Sequence, residues 1–186
     1  MRRLAILAAM ILTAVVMTTG LAVTVSAQKT TQLPAGGGGS PHVRTEWTID
    51  GATIAIEYGR PSMKGRKEAD MMPNGRPWRT GADAATIITS NRPLKFGTVT
   101  LPAGTHTINT VPGDQTWRLL LGKLERPGQW GIPYLTPLEI GSVPMKLSKT
   151  ASSVEQVTIS IDDTAAGATL RIEWGTRSAT VPFTVG

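Results

Sequence analysis

Residues 153–186 read SVEQVTISIDDTAAGATLRIEWGTRSATVPFTVG, and their apolar period is two. Val157, Ile159 and Ile161 alternate with Gln156, Thr158 and Ser160. Leu170, Ile172 and Trp174 alternate with Thr169, Arg171 and Glu173, and Ala179, Val181, Phe183 and Val185 with Thr180, Pro182 and Thr184. Successive side chains of a strand point to opposite faces, so this pattern predicts strands with one buried and one wet face, as in antiparallel sheets. Val157, Ile159, Ile161, Leu170, Ile172, Trp174, Val181 and Phe183 should therefore share a core. Pro182 has no N–H for a ladder, which puts it at a sheet edge or a bulge.

The same period runs upstream. Ile54, Ile56 and Tyr58 share a face opposite Thr53, Ala55 and Glu57. A run over 44–49 precedes them, and Asp50-Gly51 between the two is a hairpin signal, because both central residues of such a turn need positive φ. Further runs cover 86–90, 99–101, 105–111 and 116–121, the last with Trp117, Leu119 and Leu121 on one side. Residues 142–153 suggest a short helix or turn against the grain of Pro144. Eight or nine short strands separated by Gly, Pro and Asp turns predict a single all-β domain over 41–186. Its expected architecture is an antiparallel β-sandwich of jelly-roll type, with a closed β-barrel as the alternative.

Met1-Arg2-Arg3 and the apolar run 4–25 have the anatomy of a secretory signal peptide, with small residues Val25-Ser26-Ala27 before a cut ahead of Gln28. An uncleaved membrane anchor is the alternative, since the run is long enough to span a bilayer. Residues 28–40, QKTTQLPAGGGGS, carry almost no apolar content and predict a flexible tether with a span of about 20 Å. The expected location is therefore outside the cytoplasm, periplasmic or extracellular. The absence of Cys removes disulfides, thiolate nucleophiles and Cys-ligated zinc, so the domain must be held by its core.

The formal net charge is +6, and Arg2 and Arg3 leave with the leader. The remaining excess matches segment 58–79, which holds Arg60, Lys64, Arg66, Lys67, Arg76 and Arg79 against Glu68 and Asp70. A focused positive field of this kind attracts anions. Nucleic acid is not the expected partner, since no aromatic-rich basic repeat accompanies the charge.

The words Tyr58-Gly59-Arg60-Pro61-Ser62, Lys64-Gly65-Arg66, Trp78-Arg79-Thr80-Gly81-Ala82 and Leu101-Pro102-Ala103-Gly104-Thr105 occur in that order. With Trp130-Gly131 and the closing strands, they resemble a bacterial secreted family known as domain of unknown function 2911, over nearly all of the chain from Ser40 onward. The resemblance implies secretion and an all-β fold, and it carries no catalytic residue. The chain departs from the family pattern in having Asp83-Ala84-Ala85-Thr86 in place of Asn-Glu-Ala-Thr, and His106 in place of Tyr.

Motifs for chemistry are sparse. No Gly-x-Ser-x-Gly elbow, His-Glu-x-x-His or phosphate loop occurs. His42 and His106 are the only histidines, and His42 falls in the expected flexible start, a poor place for a general base. Glu57 with Asp83, or Asp162 with Asp163, are the candidate carboxylate pairs for glycosidic cleavage, although Asp162-Asp163 also suits a turn. Met63, Met71 and Met72 are soft donors for copper or, more simply, apolar plugs of an irregular loop. No cofactor is implied.

The best candidate site is the basic loop. Arg60, Lys64, Arg66, Arg76 and Arg79 can direct donors at carboxylate, phosphate or sulfated sugar, with Trp78 as a flat platform. The architectural alternative pairs Arg79 with Asp83 or Glu57 and makes Trp78 a cap on the core. Trp130-Gly131-Ile132-Pro133-Tyr134 is a second aromatic cluster, for which burial at the sandwich end is favoured over an exposed carbohydrate contact. The leading reading is a non-catalytic module for an anionic small molecule or envelope glycan, with membrane contact only through an uncleaved leader. A structural or partner-binding envelope protein is the alternative, and an unrecognised hydrolase the third reading.

Overall fold

The computed structural model describes residues 28–186; the expected leader at 1–27 lies outside the described residues. Strands are β1 (Gln28–Leu33), β2 (His42–Ile49), β3 (Ala52–Gly59), β4 (Thr86–Ser90), β5 (Leu94–Phe96), β6 (Val99–Leu101), β7 (Gly104–Val111), β8 (Thr116–Lys123), β9 (Glu139–Thr164) and β10 (Gly167–Val185). A four-residue helix α1 (Glu68–Met71) and a 3-10 turn at Thr136–Leu138 complete the described elements. All strand pairings are antiparallel, in the order β1-β2-β3-β4-β7-β8-β9-β10-β5-β6.

One buried face serves all of β2 to β10. Val43, Ile54, Ile88, Phe96, Leu101, Ile108, Trp117, Met145 and Leu170 belong to a single core cluster, so the sheet folds over on itself. The eight residues expected to be buried together at the C-terminal end all lie in that cluster. The order ends at β1 and β6 without rejoining, so the fold is not a closed barrel. A sandwich describes it loosely, because its two layers belong to one continuous sheet. At the β2–β3 hairpin, Asp50 and Gly51 have φ of 48° and 77°, the two positive values that the turn demands. Pro182 falls between the last β9 pairing, Thr180 with Lys146, and the first β5 pairing, Thr184 with Lys95.

Two segments differ from their sequence reading. Residues 142–153 form no helix. They lie inside β9, where Val143 pairs with Leu119 and Met145 with Trp117, and ladder formation overrides the weak local pattern. Residues 28–33 are not a free tether but the edge strand β1, paired with β2 from Gln28–Trp47 to Leu33–His42. An edge strand needs only backbone donors and acceptors on one side, so a polar, solvent-exposed QKTTQL can form one without core side chains.

The two tyrosines each tie another part of the chain to β9. The Tyr58 hydroxyl accepts a hydrogen bond from the Ile159 amide at 3.0 Å, linking β3 to β9. Burial raises its phenol above the ordinary value of 10.0, against the opposing pull of that amide and of Arg60. The Tyr134 hydroxyl donates to Glu139 Oε2 at 2.6 Å, and burial together with that carboxylate raises it further. A phenol raised in the folded chain holds its proton where the unfolded chain has lost it. Its contribution is therefore full below pH 10 and falls as pH rises toward the folded value. Tyrosinate absorbance should stay low at pH 10 while the chain is folded, and stability should drop above that pH. Ordinary titration of both phenols in folded protein would contradict this packing.

Candidate functional site

The segment after β3 crosses from one part of the sheet to another and is fixed at both ends by backbone hydrogen bonds. Near its start, the Met63 amide donates to Glu155 O at 2.8 Å and the Val157 amide to Pro61 O at 3.1 Å, bridging it to β9. Near its end, Trp78 and Thr110 exchange both amide hydrogen bonds, at 2.7 and 2.9 Å, against β7. Between these anchors α1 is held to β10, with Glu68 accepting from the Thr176 amide and hydroxyl and pairing with Arg177 at 3.2 Å. Met72 is wholly buried and Met63 nearly so; both belong to the core, which accounts for them as apolar plugs.

This bridge borders a half-open cavity of about 670 Å³. Trp78, 9% exposed, stacks on Trp174 with ring centres 5.6 Å apart and meets Trp117 edge-on at 6.1 Å. Trp78 and Trp174 line the cavity together with Met71 and Ile132. Arg60, Lys64, Arg66 and Arg79 line it too, whereas Arg76 is exposed elsewhere on the loop and is not part of the lining.

The three lining arginines are oriented by neutral acceptors. Arg60 donates to Val157 O at 2.9 Å and to Thr158 Oγ1 at 3.1 Å. Arg66 donates to Met63 O at 3.1 Å and Ser62 O at 2.5 Å, and Arg79 to Asp83 O at 3.2 Å. Among the described residues none of the four cations makes an ion pair. Carbonyls and hydroxyls fix direction without cancelling charge, so on the lining four cations stand against one carboxylate, Asp83. Arg79 does not pair with Glu57, which is engaged by Arg44 at 2.6 Å.

The Asp83 carboxylate has other partners. It is 5% exposed, and it accepts from the Gly38 amide at 3.0 Å and meets His42 Nε2 at 3.1 Å. A Cβ at Gly36 would stand 2.3 Å from Asp83 Oδ2, and one at Gly38 2.4 Å from Oδ1. Glycine is thus what lets the chain lie against this carboxylate. Gly38, Gly39, Ser40 and Pro41 form one rim of the cavity. The glycine run is a strap on the site, and His42 opens β2 in a fixed place instead of a flexible start. No local sequence signal marks this, because the partner of His42 lies 41 residues away.

Strain gathers at the same place. Thr80, wholly buried, has φ of 59° and Asp83 has 63°, values that side-chain-bearing residues seldom adopt. Thr80 is locked by its hydroxyl to Trp78 O and Thr110 Oγ1, and by the Thr86 hydroxyl on its own carbonyl. Backbone held against its preference concentrates at functional sites.

Other candidates fall elsewhere. His106 Nε2 donates to Pro102 O at 2.9 Å, and Asp162 pairs with Arg171 at 2.6 Å beside the β9–β10 turn. Trp130 is 51% exposed, not buried, with the Arg79 guanidinium 5.1 Å from its ring centre. The connection that carries it, between β8 and β9, is held to segment 83–85 by the Ala85 amide on Gln129 O at 2.9 Å and the Gly131 amide on Asp83 O at 3.1 Å, while Arg79 covers the Trp130 ring. No group of three or more His, Asp or Glu suited to a metal occurs among the described residues.

Because Arg79 bonds a carbonyl and not a carboxylate, Arg79→Met strands no buried charge. It should cost about 1 kcal/mol, the net worth of a hydrogen bond. Lys64→Met, at an exposed side chain, should stay within about 0.5 kcal/mol. Denaturant midpoints read both, and a loss of several kcal/mol at Lys64 would mean the cation is structural.

Searches of curated proteins and of solved structures return no significant match. A model of the family described as protein of unknown function (DUF2911) matches residues 40–183, which contain the bridge, the strap's end and nearly every strand. The chain belongs to that family.

Proposed function

We propose that the protein is an exported, non-catalytic binding module whose cavity beneath segment 58–79 takes an anionic ligand. One observation carries the reading. Arg60, Lys64, Arg66 and Arg79 line a single cavity, three of them aimed by neutral acceptors, and none is neutralised by a carboxylate among the described residues. Like charges gathered in this way repel one another in the empty protein, and an anion relieves that repulsion. The basic start, apolar run and Val25-Ser26-Ala27 end support export.

A thermal-shift comparison tests the reading, using inorganic phosphate, a sulfated disaccharide and its neutral counterpart. The anions should raise the midpoint and the neutral sugar should not, with the effect shrinking as salt screens the field. Equal shifts with all three would sink the proposal. A second reading, an architectural bridge, draws on the carbonyl bonds of Arg60, Arg66 and Arg79. It predicts no anion-dependent shift.

A further inference from the structure

The exposed large apolar side chains among the described residues, Trp130, Ile132 and Leu135, lie in one connection, and it adjoins the cavity. Ile132 is 48% exposed and lines the cavity directly. Trp130 is tied to the same place through Arg79, whose guanidinium lies 5.1 Å from its ring centre. Large apolar side chains gathered beside a pocket mark ligand or partner contact more often than chance surface composition.

The cavity has the size of a site for a small organic molecule and exceeds what an inorganic anion fills, since sites of about 300–1,000 Å³ hold drug-sized ligands. Its lining also joins two chemistries. Cations stand beside Met71, Trp78 and Ile132, and Ile132 belongs to the same connection as the exposed Trp130 and Leu135. A small hydrophilic anion would satisfy the first set and leave the second in water. A neutral apolar molecule would cover the second and leave the charges unrelieved.

We infer that the ligand is an amphiphilic anion, with its phosphate or carboxylate end at Arg60, Lys64 and Arg66 and an apolar chain running out over Ile132 and Trp130. This rests on the anion-site reading above and adds the class of molecule. Anionic lipids and free alkyl anions share that chemistry.

The test is a calorimetric titration of the protein with methyl, butyl and octyl phosphate below their aggregation limits, with octyl glucoside as the neutral control. Each methylene that leaves water is worth about fourfold in affinity, so burying three or four gives on the order of 100-fold between methyl and octyl phosphate. Ile132→Ser and Trp130→Ala, at half-exposed positions outside the core cluster, should each shrink the octyl-to-methyl ratio several-fold. Equal affinity along the series would overturn the inference while leaving the anion site standing. Octyl glucoside binding as tightly as octyl phosphate, or no binding of any phosphate, would overturn both. Co-sedimentation with phosphatidylglycerol vesicles but not phosphatidylcholine vesicles would assign a lipid source, and binding of the monomeric phosphate alone a soluble one.

Discussion

Trp174→Ala is expected to cost about 3–5 kcal/mol, the range for removing a large aromatic side chain from a packed core. The indole is fully buried, lies under Trp78 and donates from Nε1 to Glu155 O at 3.1 Å. Glu155 O also receives the Met63 amide, so the substitution weakens the core and the anchor of the bridge together. Thr184→Ala, on the exposed face of the same strand, should change stability by less than about 0.5 kcal/mol. Urea denaturation with an unchanged slope reads both. Comparable losses at the two positions would mean that the face assignment of β10 is wrong.

His42→Ala is expected to cost about 3 kcal/mol, because it leaves a nearly buried carboxylate short of its side-chain partner. The double substitution His42→Ala with Asp83→Asn removes the charge as well as its partner, so it should recover a substantial part of that loss. Asn keeps an oxygen for the Gly38 amide at a similar distance. A double-mutant cycle separates this coupling from the cavity left by the imidazole. Strict additivity would mean that Asp83 does not depend on His42. Hydrogen exchange at the Gly38 amide should rise in His42→Ala, since the carboxylate that holds the strap loses the side chain that fixes its position.

The core was legible because alternation is a local property. Val157, Ile159 and Ile161 declare their face within six residues, and the structure buries all three. The Asp50-Gly51 hairpin was equally plain, since the turn's positive φ values are written in its residue types. What local pattern does not encode is pairing that lacks side-chain content. The polar segment 28–33 becomes a strand through backbone bonds to β2, and 142–153 is drawn into β9 by its neighbours β8 and β10. Of the candidate site, the basic residues could be read from composition, but their convergence depends on contacts with β7 and β9 far along the chain. Arg76 shows the limit, since it has the same residue type and the same loop but a different direction. The His42–Asp83 contact escaped for the same reason, as did the exposure of Trp130.

We propose that cations without ion-pair partners around one cavity make an anion site. The most direct measurement is a methyl phosphate titration followed by backbone amide shifts in the protein. Saturable changes are expected at Gly38, Lys64, Trp78 and Gly81, which line the cavity, with the β5–β6 hairpin silent. Those changes should weaken in Arg60→Met and Lys64→Met, and as salt is raised. Shifts that fail to saturate, or that spread evenly over the lysines and arginines of the surface, would contradict it.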